Sequence, residues 1–145
     1  MNLDVDFVIE SPHSNERLLV EAKSINSSAE DAVMIARNLL RQTPPDANDF
    51  LLLVLRDHLY LWKHTPKEGS DLPDFSGRTE EVFEPYLRHV QTPLRDLHGL
   101  SFELLVRSWL MDLSDGMVPS SSEEWLRAAG LQQFEHGLLR EAQRN

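Results

Sequence analysis

Between Leu3 and Glu10 the chain alternates, with Val5, Phe7 and Ile9 on one face and Asp4, Asp6, Val8 and Glu10 on the other. That period of two is the pattern of a strand buried on one side. Arg17 to Lys23 repeats it: Leu18, Val20 and Ala22 point one way, Arg17, Leu19, Glu21 and Lys23 the other. The intervening Ser11-Pro12-His13-Ser14-Asn15-Glu16 is turn chemistry, so the two segments read as an antiparallel hairpin. A symmetric closure pairs Ser11 with Glu16 and, moving outward, sets Asp6 opposite Glu21 and Asp4 opposite Lys23. A slip by one residue would move the acidic residues onto the apolar face, which burial of Val20 and Ala22 penalises.

Ser27-Ser28-Ala29-Glu30 then resembles a capping box, and Ala29, Ala32, Val33, Ala36, Leu39 and Leu40 follow at helical spacing as far as Pro44-Pro45. Phe50 to Leu55 is apolar throughout and of strand length, which predicts a central strand buried on both faces; Arg56-Asp57-His58 turns it into Leu59 to Lys63. Pro, Gly, Ser and Asp dominate from His64 to Arg78, a long loop. Helices are expected at Glu80–Val90, interrupted near Pro85, at Leu100–Leu113, and as a final pair, Ser122–Ala129 and Leu131–Ala142, broken at Gly130. The expectation is an α/β fold with 1–113 as the α/β domain and 114–145 as a helical appendage of it.

Composition narrows the chemistry. With 145 residues, 41% of them hydrophobic, the chain has enough apolar surface for a core. Having no cysteine, it has neither disulfides nor thiolate metal ligands. Its first residues lack the basic start and apolar run of a signal peptide, and no stretch reaches membrane-spanning length, so a cytoplasmic protein without a membrane partner is expected. A net charge of −10 argues against a strong stand-alone nucleic-acid binder, so any such surface has to be local. The six histidines are dispersed, with no metal-ligand spacing.

The hairpin carries the candidate chemistry. Mg²⁺, or Mn²⁺ in its place, is held through one or two carboxylates with waters and substrate oxygens. Asp6 and Glu21 supply two carboxylates, the carbonyl of Ala22 a further donor, and Lys23 an ammonium that would orient a nucleophile or stabilise charge on phosphate. Asp4 competes with Asp6, and Glu10 extends the acidic row. Arg37 on the first helix and Lys63 at the end of the fourth strand are candidate phosphate contacts. Tyr60 and Trp62 share a strand face and read as core rather than as a base-stacking platform.

An Asp on one strand followed by Glu21-Ala22-Lys23 on the next, a helix and a buried strand resembles the PD-(D/E)xK, or restriction-endonuclease-like, nuclease superfamily, the match running from Leu3 to Lys63. Phe102-Glu103-Leu104-Leu105 with Ser108-Trp109-Leu110 resembles the helical tail of its small bacterial members. The resemblance implies a mixed sheet with a flanking helix and a helical C-terminal tail, Mg²⁺-dependent cleavage of DNA ahead of RNA, metal on Asp6 and Glu21, and Lys23 as catalytic lysine. A nuclease-like module without activity, serving as subunit or scaffold, is the alternative. The superfamily core places a helix and a strand ahead of the Asp strand, so the edge carrying Val5, Phe7 and Ile9 should be covered by something else. A second copy forming a homodimer, another subunit of a complex, the chain's own C-terminal helices or an N-terminal extension would each serve.

Overall fold

In the computed structural model, which describes residues 5–42, 49–63 and 72–141, the all-apolar run forms strand β3 (Asp49–Leu55), buried at every position. It pairs in parallel with β2 (Arg17–Lys23), from Arg17 opposite Asp49 to Lys23 opposite Leu55, and antiparallel with β4 (His58–Trp62). A parallel pair needs a crossover. Helix α1 (Ala29–Gln42) provides it, its start capped one residue later than the sequence pattern suggests, by the Ser28 hydroxyl accepting from the Asp31 amide at 3.2 Å.

Strand β1 (Phe7–Glu10) pairs antiparallel with β2 as the hairpin pattern requires: Phe7 with Val20, Val8 with Leu19, Ile9 with Leu18 and Glu10 with Arg17. Ser11 donates to the Glu16 carbonyl at 3.0 Å where the six-residue loop begins. Two further strands escape the sequence reading. β5 (Phe75–Arg78) lies within the expected loop and borders β4, and β6 (Leu138–Glu141) lies within the expected last helix and borders β1. The result is a six-stranded mixed sheet in the order β5-β4-β3-β2-β1-β6.

Both faces of this sheet are covered, so β1 and β2 are not the half-buried strands that their alternation suggests. On one face Val8, Leu19, Leu51, Leu53, Tyr60 and Trp62 pack beneath Ala32, Val33, Ala36 and Leu40 of α1. The two aromatic side chains are therefore core, as expected. On the other face Phe7, Ile9, Leu18, Val20, Phe50 and Leu52 meet the helical layer. That layer comprises α2 (Thr79–Val82), α3 (Glu84–Val90, with Pro85 in its first turn), α4 (Gly99–Asp115) and α5 (Ser120–Ala129). Its anchors are edge-to-face ring contacts, Phe83 on Trp109 at 5.1 Å and Phe50 on Phe134 at 5.4 Å. Two buried hydroxyls find backbone acceptors, Thr79 on the Leu55 carbonyl at 2.7 Å and Ser122 on the Val82 carbonyl at 2.6 Å. Among the described residues no helix is long and apolar enough to cross a membrane.

Leu131 and Phe134, within the expected final helix, are both buried, but they achieve it through a short 3₁₀ turn. Gly137 then lets the chain enter β6: a Cβ there would lie 2.5 Å from the Glu10 carbonyl oxygen and 2.7 Å from Ile9 Cγ2. The outer edge of β1 is thus covered by the chain's own tail, as a strand rather than as the helices considered above, and Val5, Phe7 and Ile9 are buried. With β6 paired to β1, that edge needs no second copy of the chain to close it. Because a new side chain at 137 meets backbone, Gly137→Ala is expected to destabilise the fold by roughly 1–3 kcal/mol in urea denaturation, through loss of the β1–β6 pairing. Unchanged stability would mean that this close approach does not hold the tail strand.

Candidate functional site

The β1–β2 ladder ends at Phe7, and what happens next positions the candidate carboxylates. The symmetric register would make Asp6 a rung opposite Glu21. Instead the Asp6 amide donates to the Val20 carbonyl at 3.0 Å, although Phe7 is already the partner of Val20. Two residues of one strand facing one of the other is a β-bulge, a feature that re-aims side chains and often borders functional sites. It also explains Val5, which packs with Val8 beneath α1 and not with Phe7 and Ile9 as unbroken alternation predicts.

The bulge frees the Asp6 side chain to act in place of a ladder carbonyl: its Oδ2 accepts from the Ala22 amide at 2.7 Å. The carboxylate is therefore docked on the peptide that joins Glu21 to Ala22. β2 itself remains regular, so Glu21 and Lys23 continue the row of Leu19 on the face covered by α1, while Ala22 packs toward the helical layer. Glu21 is 4% exposed and Asp6 6%, and Lys23 Nζ stands 4.0 Å from Glu21 Oε2 with its own side chain substantially exposed. The strand thus ends by carrying charge from the interior to the surface.

Holding carboxylates in this layer is energetically expensive. Taking an ion out of water costs several kcal/mol unless partners compensate. Asp6 meets the requirement through the Ala22 amide, and Lys23 lies at the limit of ion-pair distance from Glu21.

The other candidates fall elsewhere. Asp4 lies outside the described residues. Glu10 is at the far end of β1, roughly 13 Å along the strand from Asp6, and its carboxylate is paired with Arg140 of β6. Arg37 is half-buried on α1, whereas Arg41 is exposed. Lys63 follows β4 at the end of the sheet where Trp62 pairs with Leu51, opposite the end where Lys23 pairs with Leu55. Its ammonium sits 5.0 Å from the Phe75 ring centroid, and its amide donates to Asp74 at 2.7 Å. The Asp6 carboxylate meets the Ala22 amide and Lys23 stands beside Glu21, whereas Glu10 and Lys63 lie elsewhere in the sheet. Among the described residues no three His, Asp or Glu side chains form a group able to hold a metal ion.

Sequence reasoning passed over one buried charge pair. Arg17 clamps Asp49 with two hydrogen bonds, Nε to Oδ1 at 2.9 Å and Nη2 to Oδ2 at 2.7 Å, and Asp49 is 1% exposed. A fork-to-fork pair at the first rung of the parallel strands fixes their register. Its only signal in the sequence is an acid immediately before the apolar run. No protein-family model matches the chain, and no curated protein or solved structure does either.

The docking of Asp6 has a direct test. Asp6→Ala leaves the Ala22 amide without its acceptor, which is expected to cost roughly 2 kcal/mol and to speed hydrogen exchange at that amide. Asp6→Asn retains an oxygen acceptor and should preserve most of the protection. Equal exchange at Ala22 in both variants and the parent would show that the bulge does not depend on this bond.

Proposed function

We propose that the chain is a metal-dependent nuclease-like protein hydrolysing phosphodiester bonds, DNA ahead of RNA, with a restriction-endonuclease-like core. The observation that carries this reading is the Asp6 carboxylate docked on the Glu21–Ala22 peptide, with Lys23 next along the same strand face. It supports the grouping that the sequence motif requires. The donors suit the metal in kind: two carboxylates and the Ala22 carbonyl are hard oxygen ligands, as Mg²⁺ or Mn²⁺ prefers.

A divalent cation bound there supplies polarisation of a phosphoryl oxygen and a lowered pKa for an attacking water. The protein's own groups do the rest. Asp6 and Glu21 would hold the cation, their burial keeping the two carboxylates in fixed positions. Lys23, exposed at the strand end, reaches the scissile phosphate, orients the nucleophile in line with the leaving oxygen and stabilises charge on the phosphoryl oxygens.

A second reading has its own observation. Burial of both carboxylates, with Glu21 within 4.0 Å of Lys23, also suits a nuclease-like module whose site is closed and which serves as a subunit of a larger assembly. The net charge of −10 favours such a role over unaided binding of a polyanion.

Incubation with supercoiled plasmid and with single-stranded RNA separates the two. An active site gives cleavage that requires Mg²⁺ or Mn²⁺, is stopped by a chelator, and falls by roughly 10²–10³-fold in Glu21→Gln and in Lys23→Ala while circular dichroism stays unchanged. Metal-independent cleavage, or parental rates in both variants, rejects the assignment. Folded protein without cleavage of either substrate, and without Mn²⁺ binding by calorimetry, selects the silent module.

A further inference from the structure

The carboxyl ends of the parallel strands β2 and β3 open into a cleft of about 590 Å³ that the proposed site does not use. Chain segments diverge at the ends of parallel strands, and crevices at that position in open α/β sheets are where ligands bind. The volume lies within the usual range for small ligands. We infer that this cleft binds a phosphate-class oxyanion, with Arg56 and Arg95 as its cationic ligands. The inference does not rest on cleavage at Asp6 and Glu21.

Arg56 is the fixed element. Its amide donates to the Ile25 carbonyl at 2.9 Å, while its Nη2 donates to the Ser24 carbonyl and lies 2.9 Å from His98 Nδ1. Since a guanidinium has only donors, the acceptor in this contact is His98 Nδ1. Arg56 Nε is enclosed without a hydrogen-bond partner. Among the described residues no carboxylate comes within ion-pair distance of Arg56 or of the exposed Arg95. A half-buried guanidinium met only by neutral acceptors keeps its charge uncompensated, at a cost that a bound anion relieves.

Three acidic side chains also line the cleft, and each is engaged. Asp57 accepts from the Ser27 amide at 3.3 Å and the His58 amide at 3.0 Å. Glu84 takes two hydrogen bonds from Arg88, at 3.0 and 2.6 Å. Glu80 is the loosest, 3.7 Å from Arg78 and largely exposed. Three arginines and three acids line the cleft, so its formal charge balances, and among the described residues Arg56 and Arg95 are the lining cations without a carboxylate at ion-pair distance. Guanidinium donors suit phosphate oxygens: Arg95 offers an exposed fork, Arg56 keeps Nη1 because its Nη2 is committed to Ser24 and His98, and the Asn26 side chain in the same lining adds a neutral donor.

The test is titration of inorganic phosphate into the full chain at constant ionic strength, with chloride as control, followed by amide chemical shifts. The expected result is saturable shifts at Asn26, Arg56 and Arg95 with phosphate and none with chloride. Affinity should fall about tenfold in Arg95→Gln, which changes only an exposed side chain, and at least as much in Arg56→Gln. It should rise in Glu80→Gln, which removes the least committed acid. A Glu21→Gln protein should bind phosphate like the parent, which separates this site from the proposed hydrolytic one. Displacement by a phosphomonoester but not by a short oligonucleotide identifies a terminal phosphate, and the converse a polymer backbone. Absence of shifts at those amides at tens of millimolar phosphate, or equal affinity in both arginine variants and the parent, overturns the inference.

Discussion

The parallel pairing of β2 with β3 is the constraint from which the rest of the molecule follows. A parallel pair cannot be closed by a tight turn, so the chain must cross over the sheet, and the crossover is α1. Once α1 occupies one face, the apolar residues of the other face need a second layer, which the helices after β5 supply. The clamp of Arg17 on Asp49 pins the first rung of this pair, and every later residue of β2, including Glu21 and Lys23, inherits its height and face from that register.

This arrangement places the proposed chemistry inside a covered layer. A Glu-x-Lys triplet on an open strand face would be an ordinary solvated pattern, but under α1 the Glu is enclosed and the Lys emerges at the strand end. Asp6 reaches the same neighbourhood only because the bulge removes it from the ladder and turns its carboxylate onto the Ala22 amide. Enclosure serves either proposed role. It holds ligands in one geometry for hydrolysis, and it stabilises a rigid module whose surface is what other proteins meet.

The distribution of charge adds to this picture. In a chain with a net charge of −10, the cations that have no carboxylate partner among the described residues matter more than the total. Lys63 rests against Phe75 at one end of the sheet, and the unmatched pair Arg56 and Arg95 gathers in the cleft at the other, the end where Lys23 also emerges. The proposed oxyanion cleft thus lies at the carboxyl ends of β2 and β3.

By itself the sequence determined the hairpin register from Phe7 to Glu10, the crossover helix, the buried central strand and the α/β class, because each is written in local periodicity and turn chemistry. It also singled out Asp6, Glu21 and Lys23 as residues that a hairpin would bring near one another. Tertiary structure decided what periodicity does not encode. Leu131 and Phe134 carry helical spacing, yet the tail becomes β6 because the open edge of β1 offers backbone partners and Gly137 permits the approach. Phe75–Arg78 joins the sheet for the same reason, as an edge beside β4 with Gly77 against the Trp125 indole. The bulge at Asp6 has no glycine to announce it. It arises where the Val5 side chain is buried beneath α1 while Phe7 is buried on the opposite face, a demand set by two packed layers that no single strand's pattern contains.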